Sequence, residues 1–165
     1  MRENNYGRIV NTTSSAGVFG NFGQANYAAA KMGIVGLGNA LKHEGAKYNI
    51  KINTIAPFGG TRLTATVLPP PMLEAMKPEV VSPMVAYLCS EECEETGSIF
   101  PVGAGYFGRV AMREGKGVAF DSTKEVTIEM VRDNFSKICD MSETDEFPSV
   151  NEEGMARVFS NVKMG

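Results

Sequence analysis

The sequence predicts an α/β fold in which buried parallel strands alternate with helices. Two short β-branched runs, Arg8–Thr13 and Asn49–Ala56, carry that expectation, with a long helical pattern between them. Runs of this length and composition suit strands covered on both faces of a parallel sheet.

Arg8–Thr13 opens with the Ile9-Val10 pair, and Ser14, Ser15, Ala16 and Gly17 read as strand end and loop. From about Gln24 the pattern turns helical, with Ala30, Ile34, Leu37 and Leu41 on one row and Ala28, Met32 and Val35 on a second. A helix apolar on more than one side is buried on more than one side. Gly33, Gly36 and Gly38 each weaken a helix, so close approach is expected there, by a sheet on one face and a partner helix on the other. Pro69-Pro70-Pro71 makes a rigid break. Pro is tolerated in a first turn, so the helix carrying Val85, Ala86 and Leu88 is expected to begin near Pro83. Phe107–Phe120 reads as a hairpin or extended arm, and Met141–Pro148 as an acidic loop. Glu125–Ile138 reads as a helix capped by Ser122 or Thr123, and Asn151–Val162 as a last helix with Ser149 as its cap.

The chain has 165 residues, 43% hydrophobic and 21% charged, the range of an ordinary globular domain. A net charge of −3 without a basic patch argues against nucleic acid. The apolar runs are too short to span a membrane, and MRENNYGR lacks the apolar core of a signal peptide. Cys89, Cys93 and Cys139 make no even disulfide framework and read as reduced structural thiols. Cys89 and Cys93 have the spacing of one helix face, but His43 lies far away in the polar run KHEGAK, so no metal is expected.

The chemistry is concentrated near Tyr27 and Lys31. Residues four apart share a helix face. A phenol ionises near pH 10, and a neighbouring ammonium favours its phenolate. Such a Tyr can act as acid when a carbonyl is reduced, or as base when an alcohol is oxidised. Ser14, thirteen positions before Tyr27, is placed to hold the same substrate oxygen, with Ser15 as second choice.

The run from Gly7 to Lys31 resembles the active-site segment of short-chain dehydrogenases/reductases, a strand ending in Ser followed by Tyr-x-x-x-Lys on a long helix. Pro57-Phe58-Gly59-Gly60-Thr61-Arg62 after the second strand resembles the family loop that closes over the nicotinamide, with Phe58 where many members have Gly. Gly97–Phe100 resembles the start of the last strand of the sheet, giving a third strand over Ser98–Val102. Within the family, GNFGQANY, NTIAP, MKPE at Met76, YLCSEEC at Cys89 and VGAGYFGRV from Val102 resemble the (3R)-hydroxyacyl-CoA dehydrogenase units of peroxisomal multifunctional enzymes.

The resemblance implies roles for these residues. Ser14 would polarise the substrate oxygen, Tyr27 would be the acid/base, and Lys31 would assist Tyr27 and hold the nicotinamide ribose. Pro57, Gly59, Gly60, Thr61 and Arg62 would lie against the nicotinamide end of the cofactor, which the resemblance gives as NAD, with NADP left open. Thr64–Met76 would be either a mobile segment over the substrate or a plain surface connection. The substrate would be an acyl-CoA thioester and the compartment the peroxisome, although the ending Lys163-Met164-Gly165 is not a Ser-Lys-Leu address.

No Gly-x-Gly-x-x-Gly or related string follows a strand, and this is the turn that lets backbone approach a pyrophosphate. The expected fold is therefore the C-terminal half of a Rossmann-like doubly wound parallel sheet of about three strands. Residues 1–105 would form that half and residues 106–165 a helical extension of the same domain. Three readings follow. The chain is the catalytic half of an NAD-dependent (3R)-3-hydroxyacyl-CoA dehydrogenase, its N-terminal half supplied by a longer gene product or by a partner chain. It is a non-catalytic fragment or isoform that joins a full-length subunit through the Gln24–Tyr48 helix, the helix through which a homodimer is also expected. Or it belongs to an NADPH-dependent 3-oxoacyl-thioester reductase.

Overall fold

The computed structural model describes residues 1–60, 69–146, 155, 156, 158–160 and 162. The chain divides into two compact units, Met1–Val110 and Ala111–Gly165.

The first unit is built on a four-stranded sheet. Strands β1 (Gly7–Thr12), β2 (Ile50–Pro57) and β3 (Ile99–Gly103) run parallel in that order, and β4 (Tyr106–Phe107) returns antiparallel beside β3. The register sets Ile9 beside Ile52, Thr12 beside Ile55 and Thr54 beside Ile99. The three parallel strands fall within two residues of their expected positions. β1 forms one edge of the sheet, and the two-residue β4 forms the other.

Helix α2 (Ala25–Gly45) connects β1 to β2 and lies on one face, burying Val35, Gly38 and Gly45. A Cβ at Gly38 would come 3.3 Å from Thr54 Oγ1, and one at Gly45 would come 3.0 Å from Ile50 Cβ. These two glycines, seven residues apart, share one helix face and let the backbone settle onto β2. Gly33 and Gly36 meet nothing within 4 Å. At about 100° per residue they lie roughly 140° and 200° round from Gly38, facing away from the sheet. Close approach thus holds for one of the three expected glycines. The opposite sheet face carries α4 (Ser82–Leu88), whose Leu88 joins Ile55, Cys93 and Val102 in a buried cluster flanked by Val10, Met84, Val85 and Phe100. Helices on both faces of a parallel sheet make this a doubly wound α/β arrangement.

Most buried polar side chains are bonded, with Asn11 Nδ2 left without a partner among the described residues. Asn53 donates through Nδ2 to the Glu95 carbonyl at 2.8 Å and accepts the Ser98 amide at 3.2 Å, tying the loop before β3 to β2. Lys51 pairs with Glu94 at 2.8 Å and holds that carboxyl below its ordinary range.

Four local expectations change. Ser15–Phe19 is a short helix, α1, because Ser14 caps it. Pro70–Ala75 is also a helix, α3, with Pro in its first turn, and Thr64 lies outside the described residues. The stretch after Gly105 makes no hairpin of its own. Its start, β4, pairs back onto Val102 and Gly103, while Arg113–Gly115 (β5) pairs in the second unit with Thr144–Glu146 (β6), inside the span expected as acidic loop. Arg113 Nε holds that pairing by donating to Thr144 Oγ1 at 2.7 Å. Finally, α5 spans Ile128–Ile138, three residues shorter than expected at its start. Its cap is Thr127, whose Oγ1 accepts the Met130 amide, while Thr123 is engaged locally with Asp121. Of the expected last helix, Met155, Ala156, Val158 and Phe159 are helical; its cap Ser149 lies outside the described residues.

The β3–β4 connection turns on Ala104 (φ 50°) and Gly105 (φ 80°), a two-residue reversal with both central residues left-handed. Ala is poorly suited to the first of these positions. Ala104→Gly should stabilise the chain by about 0.5–1 kcal/mol, since relief of left-handed strain exceeds the added chain entropy. A lowered denaturant midpoint would contradict that reading of the turn.

Candidate active site

The site forms where β1 ends. The Thr13 amide donates to the Ile55 carbonyl at 2.8 Å, holding the chain on the sheet for one more residue. Ser14 then takes extended backbone (φ −154°, ψ 153°) and accepts the Ala16 amide on Oγ at 3.2 Å, the role that favours Ser at a helix start. Capping uses the hydroxyl as acceptor, which leaves its proton available for another oxygen. Ser15 begins α1.

α1 packs on α2 through Gly17. A Cβ there would come 2.7 Å from Lys31 Cβ and 3.1 Å from the Lys31 carbonyl carbon. Lys31 Nζ donates to the Thr12 carbonyl at 3.1 Å, and its own backbone carbonyl accepts from Thr13 Oγ1 at 2.6 Å. Tyr27 sits one helical turn earlier, its ring centroid 5.8 Å from Lys31 Nζ and its side chain 42% exposed. Ser14 follows Thr13 directly, and Tyr27 shares a helix face with Lys31. The Thr13–Lys31 hydrogen bond therefore brings the two segments together at the C-terminal end of β1.

A second group lies at the same end of β2. Phe58 N donates to the Val102 carbonyl at 2.8 Å, and Gly60 N to the Met76 carbonyl at 2.6 Å. A Cβ on Gly103 would reach 2.3 Å from the Phe58 carbonyl oxygen, so Gly at 103 is what admits the Phe58 backbone. Pro57 and Gly59 line a cavity of about 600 Å3 with Pro78, Val81, Ser82, Val85 and Ala86. Just before Pro78 in the chain, Lys77 pairs with Glu74, which holds the Lys77 ammonium above its ordinary range. Thr61 and Arg62 lie outside the described residues.

Ligands of open α/β sheets bind beyond the carboxyl ends of the strands. Gly59 borders the cavity at this end of β2, and a Cβ added there would meet no atom within 4 Å. No glycine-rich turn between strand and helix offers a pyrophosphate seat among the described residues. Nor do those residues include three or more His, Cys, Asp or Glu side chains placed to hold a metal. The helix expected to carry both Cys89 and Cys93 ends at Leu88, leaving Cys89 exposed and Cys93 in the core.

The short chain dehydrogenase family model matches residues 1–68. Peroxisomal multifunctional enzyme type 2 of Mus musculus is 48% identical over 98% of this chain and 22% of its own length. Peroxisomal multifunctional enzyme A of Dictyostelium discoideum is 44% identical over 98% of this chain and 36% of its own. The structure of full-length peroxisomal multifunctional enzyme type 2 from Drosophila melanogaster superposes with a TM-score of 0.86 at 39% identity, covering 98% of this chain and 30% of that one. Residues 1–68 thus carry the short-chain dehydrogenase match, and the likeness to these relatives runs nearly the length of the chain. The chain spans less than half the length of each of these relatives.

Three residues that shape this site carry no signal in the sequence. Thr13 reads as one more β-branched strand residue, Gly17 as loop, and Gly103 as part of a weak Gly-Ala-Gly string. Each acts by contact with a distant segment, which local spacing does not encode. Gly17→Ala should destabilise the chain by about 1–3 kcal/mol, because a methyl group would meet helix backbone rather than a flexible side-chain tip. Gly33→Ala, in open space, should instead stabilise α2 by up to about 1 kcal/mol. Urea unfolding of both variants tests the contrast.

Proposed function

We propose that this chain carries the proton-transfer residues of an NAD-dependent (3R)-3-hydroxyacyl-CoA dehydrogenase of fatty-acid β-oxidation. The substrate would be a 3-hydroxyacyl-CoA thioester and the product its 3-oxoacyl form. The observation that carries this reading is Lys31, held by Thr12 and Thr13 at the strand end with Tyr27 one turn away. The names of its peroxisomal relatives support a peroxisomal location, and likeness to an acetoacetyl-CoA reductase, 46% identical over 53% of this chain, supports the thioester class.

In this reading Ser14 donates its free proton to the substrate's C3 oxygen and orients it. Tyr27, exposed at the same strand end, takes the C3 hydroxyl proton as the alcohol is oxidised. Lys31 keeps a positive charge beside the phenol ring. The cavity at Pro57 and Gly59, with Gly60 next in the chain, receives the nicotinamide end. When bound, NAD supplies the hydride acceptor at C3. The glycine-rich turn this chemistry needs is assigned to further sequence or to a partner chain, since none follows a strand here.

Homodimerisation through α2 belongs to the same proposal. The face of α2 turned away from the sheet presents Met32, Gly33, Gly36 and the half-exposed Leu37, small and apolar groups of the kind a second helix packs against. Leu37→Glu should convert a dimer to monomer in sedimentation velocity without lowering thermal stability of the monomer.

Tyr27→Phe, assayed with the dinucleotide-binding segment present, should lower turnover about 10²–10⁴-fold while NADH affinity stays within about twofold. Unchanged turnover would exclude Tyr27 as the acid/base.

A further inference from the structure

We propose that Thr13 is a positioning residue for this reaction, its hydroxyl fixing Lys31 and, through the helix turn, Tyr27 relative to Ser14. The inference rests on the reading of Tyr27 and Lys31 given above. Thr13 is 2% exposed, and its amide bond to the Ile55 carbonyl fixes its backbone on the sheet. Its Oγ1 donates to the Lys31 carbonyl at 2.6 Å, at the short end of the range for hydroxyl donors. Within α2 that carbonyl already belongs to the helix ladder, and the hydroxyl fills its second lone pair. The preceding residue, Thr12, accepts from the same lysine's Nζ at 3.1 Å. Lys31 is thus held at its backbone and at its tip by two consecutive residues of one strand end. Gly17 lies against its Cβ and closes a third side.

The choice of Thr has a physical meaning. Val has nearly the same shape and equal strand preference, so the hydroxyl is all that Thr adds here. A buried hydroxyl is unfavourable unless it is bonded, and this one is bonded to the helix that carries the acid/base pair. Lysine has a flexible four-carbon stem, and a tether at its backbone limits where the ammonium can go. Because Ser14 is the next residue, the same bond sets the offset between the two reacting segments.

The test compares Thr13→Val, Thr13→Ser and Lys31→Met. In the full chain, brief acetylation of lysine amines read by mass spectrometry gives the labelling of Lys31 relative to exposed Lys47. Thr13→Val should raise that ratio about fivefold, the effect of one ordinary hydrogen bond, and Thr13→Ser should return it to within about twofold of the parent. In the enzyme with its dinucleotide-binding segment, Thr13→Val should lower kcat about tenfold with little change in KM and shift the basic limb of the pH profile, and Thr13→Ser should restore both. An unchanged labelling ratio and pH profile in Thr13→Val would overturn the inference. If Thr13→Val does not fold, Thr13→Cys, with similar volume and a weaker donor, takes its place under the same criteria. Full turnover by Lys31→Met would instead overturn the functional reading, and the labelling ratio would still decide whether Thr13 tethers Lys31.

Discussion

Everything at the site depends on how closely α2 lies on β2. The contact is made by absence of side chain, at Gly38 against Thr54 and at Gly45 against Ile50. With the helix seated this deeply, its earlier turns reach the end of β1, where the Thr12 carbonyl and Thr13 hydroxyl take hold of Lys31. A bulkier pair at those glycines would lift the helix axis, and the hydrogen bonds at its other end would stretch with it. Core packing and site geometry are one constraint here, because close-packed interiors transmit displacement and do not absorb it.

The two sheet faces divide the labour. One face carries α2 with Tyr27 and Lys31. The other holds the apolar cluster of Ile55, Leu88, Cys93 and Val102, which sets α4 beside the cavity at Pro57 and Gly59. Both arrangements meet at the carboxyl ends of the parallel strands. Gly103 lets the Phe58 backbone cross the end of β3 and so fixes where the loop after β2 departs.

Much of this was legible in the sequence. β-branched runs marked β1 and β2, and apolar rows marked α2, because parallel strands and doubly covered helices leave strong local patterns. Tyr27 and Lys31 were legible as a pair because four residues is one helical turn. What stayed hidden depends on contacts between segments far apart in the chain. Ser14-Ser15-Ala16-Gly17 reads as loop until α2 is present for Gly17 to pack on. Thr127 outcompetes Thr123 as the α5 cap because Asp121 already engages Thr123. β5 and β6 are three-residue strands, too short to show alternation, and they exist only through each other.

The sheet is also lopsided in a way that bears on its growth. On one side the turn at Ala104-Gly105 folds a two-residue strand back against β3, and the bonds from Gly108 and Val110 to Pro101 and Ile99 occupy the rest of that edge. On the other side β1 offers six residues that pair with no second strand among the described residues. One border is hemmed and the other is open. Extension of this sheet therefore has a single direction, outward from β1, and a strand added there would lie along the segment that ends in Thr12, Thr13 and Ser14.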